Sequence, residues 1–320
     1  MPTETVTIQQ LVDGSESSLR RFLQTLSPVD QVGAHERAAM LGTRSIKTTS
    51  KKWAIDMAIS MVDLTTLEGA DTPGKVRALC SKALRPDPND LTVPHVGAVC
   101  VYNDMVGVAR QHLDSIGGHN LPVAAVSTAF PSGRASRSVK ELDTRDAIAL
   151  GASEIDMVID RGAFLSGKLG EVFEEISAIK EICGEKAHLK VILETGELVT
   201  LDNVRKASYL AMLAGADFIK TSTGKVTPAA TPPVVLVMLE AVRDFFALTG
   251  HRIGVKPAGG IRTTKDAIKQ LVLVNEIAGP EWLDPSLFRI GASALLNDLL
   301  MQRMKMANGR YSSANYVTVD

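Results

Sequence analysis

From Trp53 onward, short apolar runs alternate with segments of helical spacing eight times within about 250 residues, and that regularity restricts the fold more than any other feature. The apolar runs cover 58–63, 97–102, 123–128, 154–159, 189–193, 218–221, 253–256 and 288–290. Between them lie amphipathic stretches. Thr72-Pro73 supplies an N-cap followed by proline at the first helical position, ahead of Val76, Leu79, Cys80 and Ala83. Leu169, Val172, Phe173, Ile176 and Ile179 mark one helical face, and Val235, Met238, Leu239, Val242 and Phe246 another. Eight evenly sized strand–helix units predict a (β/α)8 TIM barrel in preference to a doubly wound open sheet. The expected organisation is an N-terminal extension over 1–52, a barrel over 53–308 and a polar, loose tail over 309–320. The extension is read as partly helical, with a helix over 19–26 and a linker at Thr48-Thr49-Ser50-Lys51-Lys52.

Composition removes several classes of function. A formal net charge of −1 without any basic block lacks the footprint of a nucleic-acid binder. No apolar run reaches transmembrane length, and the early acids of the N-terminus lack a signal-peptide core. Cys80, Cys100 and Cys183 are odd in number and sit in apolar stretches, as buried thiols of a cytoplasmic protein do. The histidines are scattered without ligand spacing, so no metal is expected. No Gly-x-Gly-x-x-Gly follows the first strand, which leaves a dinucleotide cofactor without support.

Two lysines interrupt strands where the pattern calls for apolar residues. Lys220 lies on the sixth run, ahead of Thr221-Ser222-Thr223-Gly224-Lys225; Lys256 ends the seventh and is followed by Pro257-Ala258-Gly259-Gly260. Strands of a parallel barrel are continuously apolar unless a residue reaches the C-terminal mouth, where the chemistry of such barrels collects. A free lysine is an ammonium in all but roughly one in a few thousand copies at neutral pH, and attack on a carbonyl needs the neutral amine. A second cation beside Lys220 meets that need by disfavouring its charged form. Lys220 could instead be a strand-end lysine snorkelling to solvent.

Asp156 lies at an inward position of the fourth strand, where a buried carboxylate requires a cation; proton shuttling and a structural ion pair are the two readings. Asp63 ends the first strand, and Cys100 on the second either lines the pocket or packs as a small hydrophobe. Gly224, Gly259-Gly260 and Gly291-Ala292-Ser293 follow the last three strands, where turns leading into helix N-termini offer backbone N–H groups to a phosphate.

Asp63-Leu64-Thr65-Thr66-Leu67, Glu154-Ile155-Asp156, Glu194-Thr195-Gly196-Glu197-Leu198, Phe218 through Lys225, Lys256 through Gly260 with Arg262, and Gly291-Ala292-Ser293 occur in an order that resembles the deoxyribose-phosphate aldolases, a class I aldolase family. The resemblance covers roughly residues 58–305. It implies reversible cleavage of 2-deoxy-D-ribose 5-phosphate to D-glyceraldehyde 3-phosphate and acetaldehyde, without metal or organic cofactor. It further implies Lys220 as the Schiff-base lysine, Lys256 as the lysine that perturbs it, and Asp156 as the proton-relay acid. Asp63, Cys100, Thr221 and Thr223 become substrate contacts, and Gly224, Gly259, Gly260 and Ser293 the phosphate cradle. Ala294 departs from the family pattern, where a second serine often stands. The partner is a small phosphorylated sugar, with no nucleic acid and no membrane; association into a homo-oligomer is left open. The competing readings are a class I aldolase for another sugar phosphate and a catalytically silent sugar-phosphate sensor.

Overall fold

The computed structural model describes residues 5–310, 313 and 317. Four helices come first: α1 (Ile8–Leu11), α2 (Glu16–Thr25), α3 (Gln31–Leu41) and α4 (Thr48–Ser60). The alternating part then runs β1 (Val62–Thr65), α5 (Pro73–Leu84), β2 (Ala98–Val101), α6 (Val106–Ser115), β3 (Val123–Ser127), α7 (Arg137–Ala149) and β4 (Glu154–Val158). It continues through α8 (Arg161–Leu165), α9 (Leu169–Cys183), β5 (His188–Ile192), α10 (Leu201–Leu213), β6 (Phe218–Lys220) and α11 (Pro232–Thr249). It ends with β7 (Gly254–Lys256), α12 (Thr264–Ile277), β8 (Ile290–Ala292) and α13 (Leu295–Asn308).

All neighbouring strands are parallel, each lies beside its predecessor, and β8 returns to pair with β1. The seam between β7 and β8 is looser. It consists of the bridges Val255–Phe288 and Ala258–Gly291, with Arg289 N–H donating to the Val255 carbonyl at 3.1 Å. The (β/α)8 barrel expected from the alternation is therefore present. Local chemistry sets the helix ends. Thr72 Oγ1 accepts from Lys75 N–H ahead of α5, and Gly250, at φ 76°, closes α11 by donating to the Phe246 carbonyl.

Two expectations need correction. The polar run Thr48–Lys52 is not a linker but the opening turns of α4, so the expected boundary at 52/53 falls inside a helix. Its polar residues read as a linker because the burying residues come later: Ala54, Ile55, Ala58 and Ile59 are fully buried. The eighth strand lies at Ile290–Ala292 rather than 288–290, because it takes its register from β1, where Val62 faces Ile290 and Asp63 faces Gly291. Gly291 is thus a strand residue and not part of a turn.

The extension packs on the outside of the barrel. Leu19 and Leu23 of α2 are buried, and Glu16 accepts from the Gly170 N–H at 2.6 Å, at the start of α9. Arg37 of α3 and Arg205 of α10 both reach Glu240 of α11, at 2.6 and 2.9 Å. Arg303 of α13 binds Asp56 of α4 at 2.7 Å. The tail expectation falls largely outside the described residues; within it, Val317 is buried and its carbonyl accepts from Lys82 Nζ at 2.8 Å. Among the described residues, no helix is long and apolar enough to cross a membrane.

Inside the barrel, side-chain volume is matched across strands. Phe218 faces Gly254 in register, and a Cβ at Gly254 would lie 2.3 Å from the Phe218 ring. That ring in turn lies beside Lys190 Nζ, 5.7 Å from its centroid. Gly254→Ala should overpack this layer and lower stability by about 1–3 kcal/mol, read as a fall in the urea midpoint with an unchanged slope; an unchanged midpoint would show that the layer yields freely.

Candidate active site

Lys220 and Lys256 sit directly opposite each other on β6 and β7, as their matching places at the ends of two successive strands imply. Both point into the barrel, and both amines donate to one oxygen, Oδ2 of Asp156 on β4, each at 2.7 Å. The two ammonium groups are thus joined through a shared carboxylate. Lys256 has a second partner, Asp63 Oδ2, at 2.5 Å.

The cluster continues downward through residues that the sequence reading did not single out. Arg289, immediately before β8, binds Asp63 at 2.7 Å and Glu154 at 3.1 Å. Lys190 of β5 binds Glu154 and lies 3.5 Å from Asp156 Oδ1. A usable signal existed. Glu154 stands two residues before Asp156, and so on the same strand face, while Lys190 breaks an apolar strand just as Lys220 does.

Electrostatics within the cluster follow from its pairing. Burial alone would push the Asp63 carboxyl up, but Lys256, Arg289 and Lys190 outweigh it and hold it below the ordinary carboxylate range. Burial opposes ionisation of Asp156 as well, and Lys220, Lys256 and Lys190 together keep it far below an ordinary aspartate. For Lys256, burial favours the neutral amine, but Asp156 and Asp63 overcome it and hold the ammonium above an ordinary lysine. Cys100 is fully buried with Sγ 4.0 Å from Asp156 Oδ2, and burial raises its thiol.

Above the cluster opens a cleft of about 550 Å³, with Lys220 in its wall. Thr223, Gly224, Gly259, Gly260 and Ser293 line the same cleft, together with Arg262 and Asn297. Lys75 and Lys82 of α5 also line it, which the sequence did not reveal because they read as ordinary solvent-facing helix residues. Asp156, Lys256, Asp63 and Cys100 lie behind the cleft surface rather than on it. Thr221 is buried, and its hydroxyl bonds the backbone of Ala258, accepting from the N–H at 2.9 Å.

Gly224, Gly259 and Gly260 all have φ near +80°, a conformation that favours glycine, and a Cβ at Gly260 or Gly224 would project into open space. Only Ser293-Ala294 leads directly into a helix, since α11 and α12 start further along than Gly224 and Gly260. Glu194, itself at φ 52°, receives the Thr223 hydroxyl at 2.5 Å and lies within 3.3 Å of its N–H, anchoring the loop after Lys220. Burial raises the Glu194 carboxyl despite these bonds. Among the described residues, no group of His, Cys, Asp and Glu is placed to hold a metal ion.

A parallel barrel with a lysine pair bridged by a buried acid beneath a polar cleft has the architecture of a Schiff-base lyase. The model of the DeoC/LacD family aldolases matches residues 57–300, and the chain belongs to that family. Human deoxyribose-phosphate aldolase is 48% identical over 278 residues, covering 83% of this chain and 87% of that protein. The mouse deoxyribose-phosphate aldolase is 44% identical over 302 residues, covering 90% and 94%. Among solved structures, the tetrameric deoxyribose phosphate aldolase of Aeropyrum pernix superposes with a TM-score of 0.63 at 23% identity, covering 88% of this chain and all of that one. The chain is a lyase of the class I aldolase type.

Pairing in the cluster dictates a pH response. Carboxyls held below their ordinary value contribute stability above about pH 4 that is lost as the pH falls through their folded-state values. The contribution of Lys256, held above its ordinary value, is complete below about pH 10 and is lost as the pH rises beyond that. Asp63→Asn leaves Lys256 and Arg289 each short of a carboxylate partner and should cost about 3–5 kcal/mol near neutrality. Its urea midpoint should also fall less steeply than that of wild type between about pH 4 and pH 2. Parallel acid profiles would show that Asp63 carries no such linkage.

Proposed function

We propose that this enzyme cleaves 2-deoxy-D-ribose 5-phosphate reversibly to D-glyceraldehyde 3-phosphate and acetaldehyde through a Schiff base on Lys220. One observation carries the assignment: two lysine amines share Asp156 Oδ2, and only Lys220 reaches the cleft. Lys256, held by two carboxylates, remains the ammonium. Lys220 is then the amine available to a carbonyl.

In this reading, Lys220 Nζ adds to the C1 aldehyde of the open-chain sugar, and loss of water leaves an iminium. The C3 hydroxyl gives up its proton to Asp156, the C2–C3 electron pair moves toward the iminium, and C3 departs as the aldehyde of glyceraldehyde 3-phosphate. The enamine left on Lys220 takes a proton at C2, and water releases acetaldehyde. Asp156, in contact with both amines, carries protons between them and the reacting carbons, with Lys256 as the cationic donor beside it. The high identity to the human and mouse enzymes supports this substrate. The lysine itself forms the electron sink, so the cycle requires no cofactor. Three unbridged, buried cysteines are compatible with action in the cytosol.

The phosphate is assigned to the end of the cleft formed by Gly224, Gly259, Gly260 and Ser293. Backbone N–H groups of these turns and the first turn of α13 are its donors together with the Ser293 hydroxyl, with Arg262 supplying charge at the rim. Thr223 belongs to the sugar-binding wall. Thr221, Asp63 and Cys100 shape the site from behind.

Acetaldehyde with borohydride should leave a reduced two-carbon adduct on Lys220, found by peptide mapping. Lys220→Ala should lose turnover by several orders of magnitude. An adduct on Lys256 or Lys225 would reverse the roles, and no adduct would favour a binding protein without catalysis.

Ser293→Ala should raise KM for the phosphorylated sugar by about tenfold, as expected for one hydrogen bond to a charged group, while unphosphorylated 2-deoxyribose is processed as before. Ala294→Ser should act in the opposite direction on the phosphorylated sugar alone. Equal effects of Ser293→Ala on both sugars would place the phosphate elsewhere.

A further inference from the structure

Four side chains of the buried cluster lie below the proposed reacting pair: Lys190, Glu154, Arg289 and Asp63. The proposed reaction uses none of them directly. Lys190 and Glu154 are the informative ones, because together they connect to Asp156 from the side away from Lys220. Lys190 Nζ bonds Glu154 and lies 3.5 Å from Asp156 Oδ1, which has no hydrogen-bond donor among the described residues. Asp156 thus has one oxygen committed to Lys220 and Lys256 and the other facing Lys190.

Charge balance gives this arrangement a purpose. The cluster holds the carboxylates Asp63, Glu154 and Asp156 against the cations Lys190, Lys220, Lys256 and Arg289. Three negative charges face four positive ones, all in the water-poor barrel interior. Lys190, Lys256 and Arg289 each meet two carboxylates, whereas Lys220 meets only Asp156 and shares that oxygen. The cluster becomes neutral if a single proton leaves, and Lys220 is the least compensated cation.

We infer that Lys190 and Glu154 are positioning residues of the reaction: through Asp156 they set the charge balance that makes Lys220 an amine. The inference rests on the reading of Lys220 as the Schiff-base lysine. The groups around Lys220 are Asp156 from β4, Lys256 from β7, Lys190 from β5, Cys100 from β2, Asp63 from β1 and Arg289 ahead of β8, and only the carboxylates and cations among them enter the balance. Lys190→Met removes a positive charge. The ammonium of Lys220 is then easier to keep, so the amine forms only at higher pH. Glu154→Gln removes a negative charge and does the reverse.

The test measures kcat/KM for 2-deoxy-D-ribose 5-phosphate against pH in wild type, Lys190→Met, Glu154→Gln and the double variant. The acid limb should move up by about one pH unit in Lys190→Met and down by about as much in Glu154→Gln. In the double variant it should return toward wild type, although packing damage from the two changes adds. Lys190→Arg should restore the wild-type limb. Limbs that stay fixed, or that move the same way in both single variants, would overturn the inference and leave the lower tier a structural ion cluster. If one single variant fails to fold, the direction of the other decides. Borohydride trapping with acetaldehyde in each folded variant separates the two questions. An adduct away from Lys220 refutes the Schiff-base assignment, whereas an adduct on Lys220 with unmoved limbs refutes only the role of Lys190 and Glu154.

Discussion

Burial of charge inside a barrel is the constraint on which the rest of this structure depends. A (β/α)8 interior is ordinarily filled by branched apolar side chains in layers. Here the central layers hold lysines, an arginine and carboxylates, all nearly shielded from solvent. Each would be costly alone, and each is tolerable only where a partner of opposite sign lies within contact distance. Such pairs add little net stability compared with apolar packing. Folding energy therefore comes mainly from the apolar layer between strands and helices, including the buried faces of α10, α11 and α12.

Room for the long cationic side chains is made by missing ones. Gly254 accepts the Phe218 ring, and a Cβ at Gly291 would lie 3.3 Å from Lys256 Cε and 2.9 Å from the Ala258 Cβ. Strand register then does the pairing: Asp156 stands opposite Lys190, and Lys220 opposite Lys256. A loop anchored by Glu194 on Thr223 keeps the segment after Lys220 in place at the cleft wall. The mouth is thus polar and glycine-rich, while its floor is electrostatically fixed.

Much of this was legible in the chain. The eight-fold alternation specified the barrel because helical and strand periodicities differ, and caps such as Thr72 and stops such as Gly250 act locally. Lys220, Lys256 and Asp156 stood out because each breaks an apolar strand. Lys190 broke one too, yet it followed His188 at an exposed strand start and blended into a polar edge. Arg289 is hidden in the sequence because the apolar spacing puts the eighth strand at 288–290, two residues early, and so places Arg289 within a short apolar run rather than below the site. The opening turns of α4 resemble a linker for a similar reason: they are polar themselves, and the helix is held by buried residues further along.

The order of charges along the chain has its own consequence. Every carboxylate of the cluster comes from the first four strands, Asp63 from β1 and Glu154 and Asp156 from β4. Every cation comes from the second four, Lys190, Lys220 and Lys256 from β5, β6 and β7, and Arg289 from the entry to β8. Neither half-barrel could close on its own without enclosing charge of a single sign. The two halves are electrostatic complements. The register that sets the acid half against the basic half is also what places Asp156 between Lys220 and Lys256.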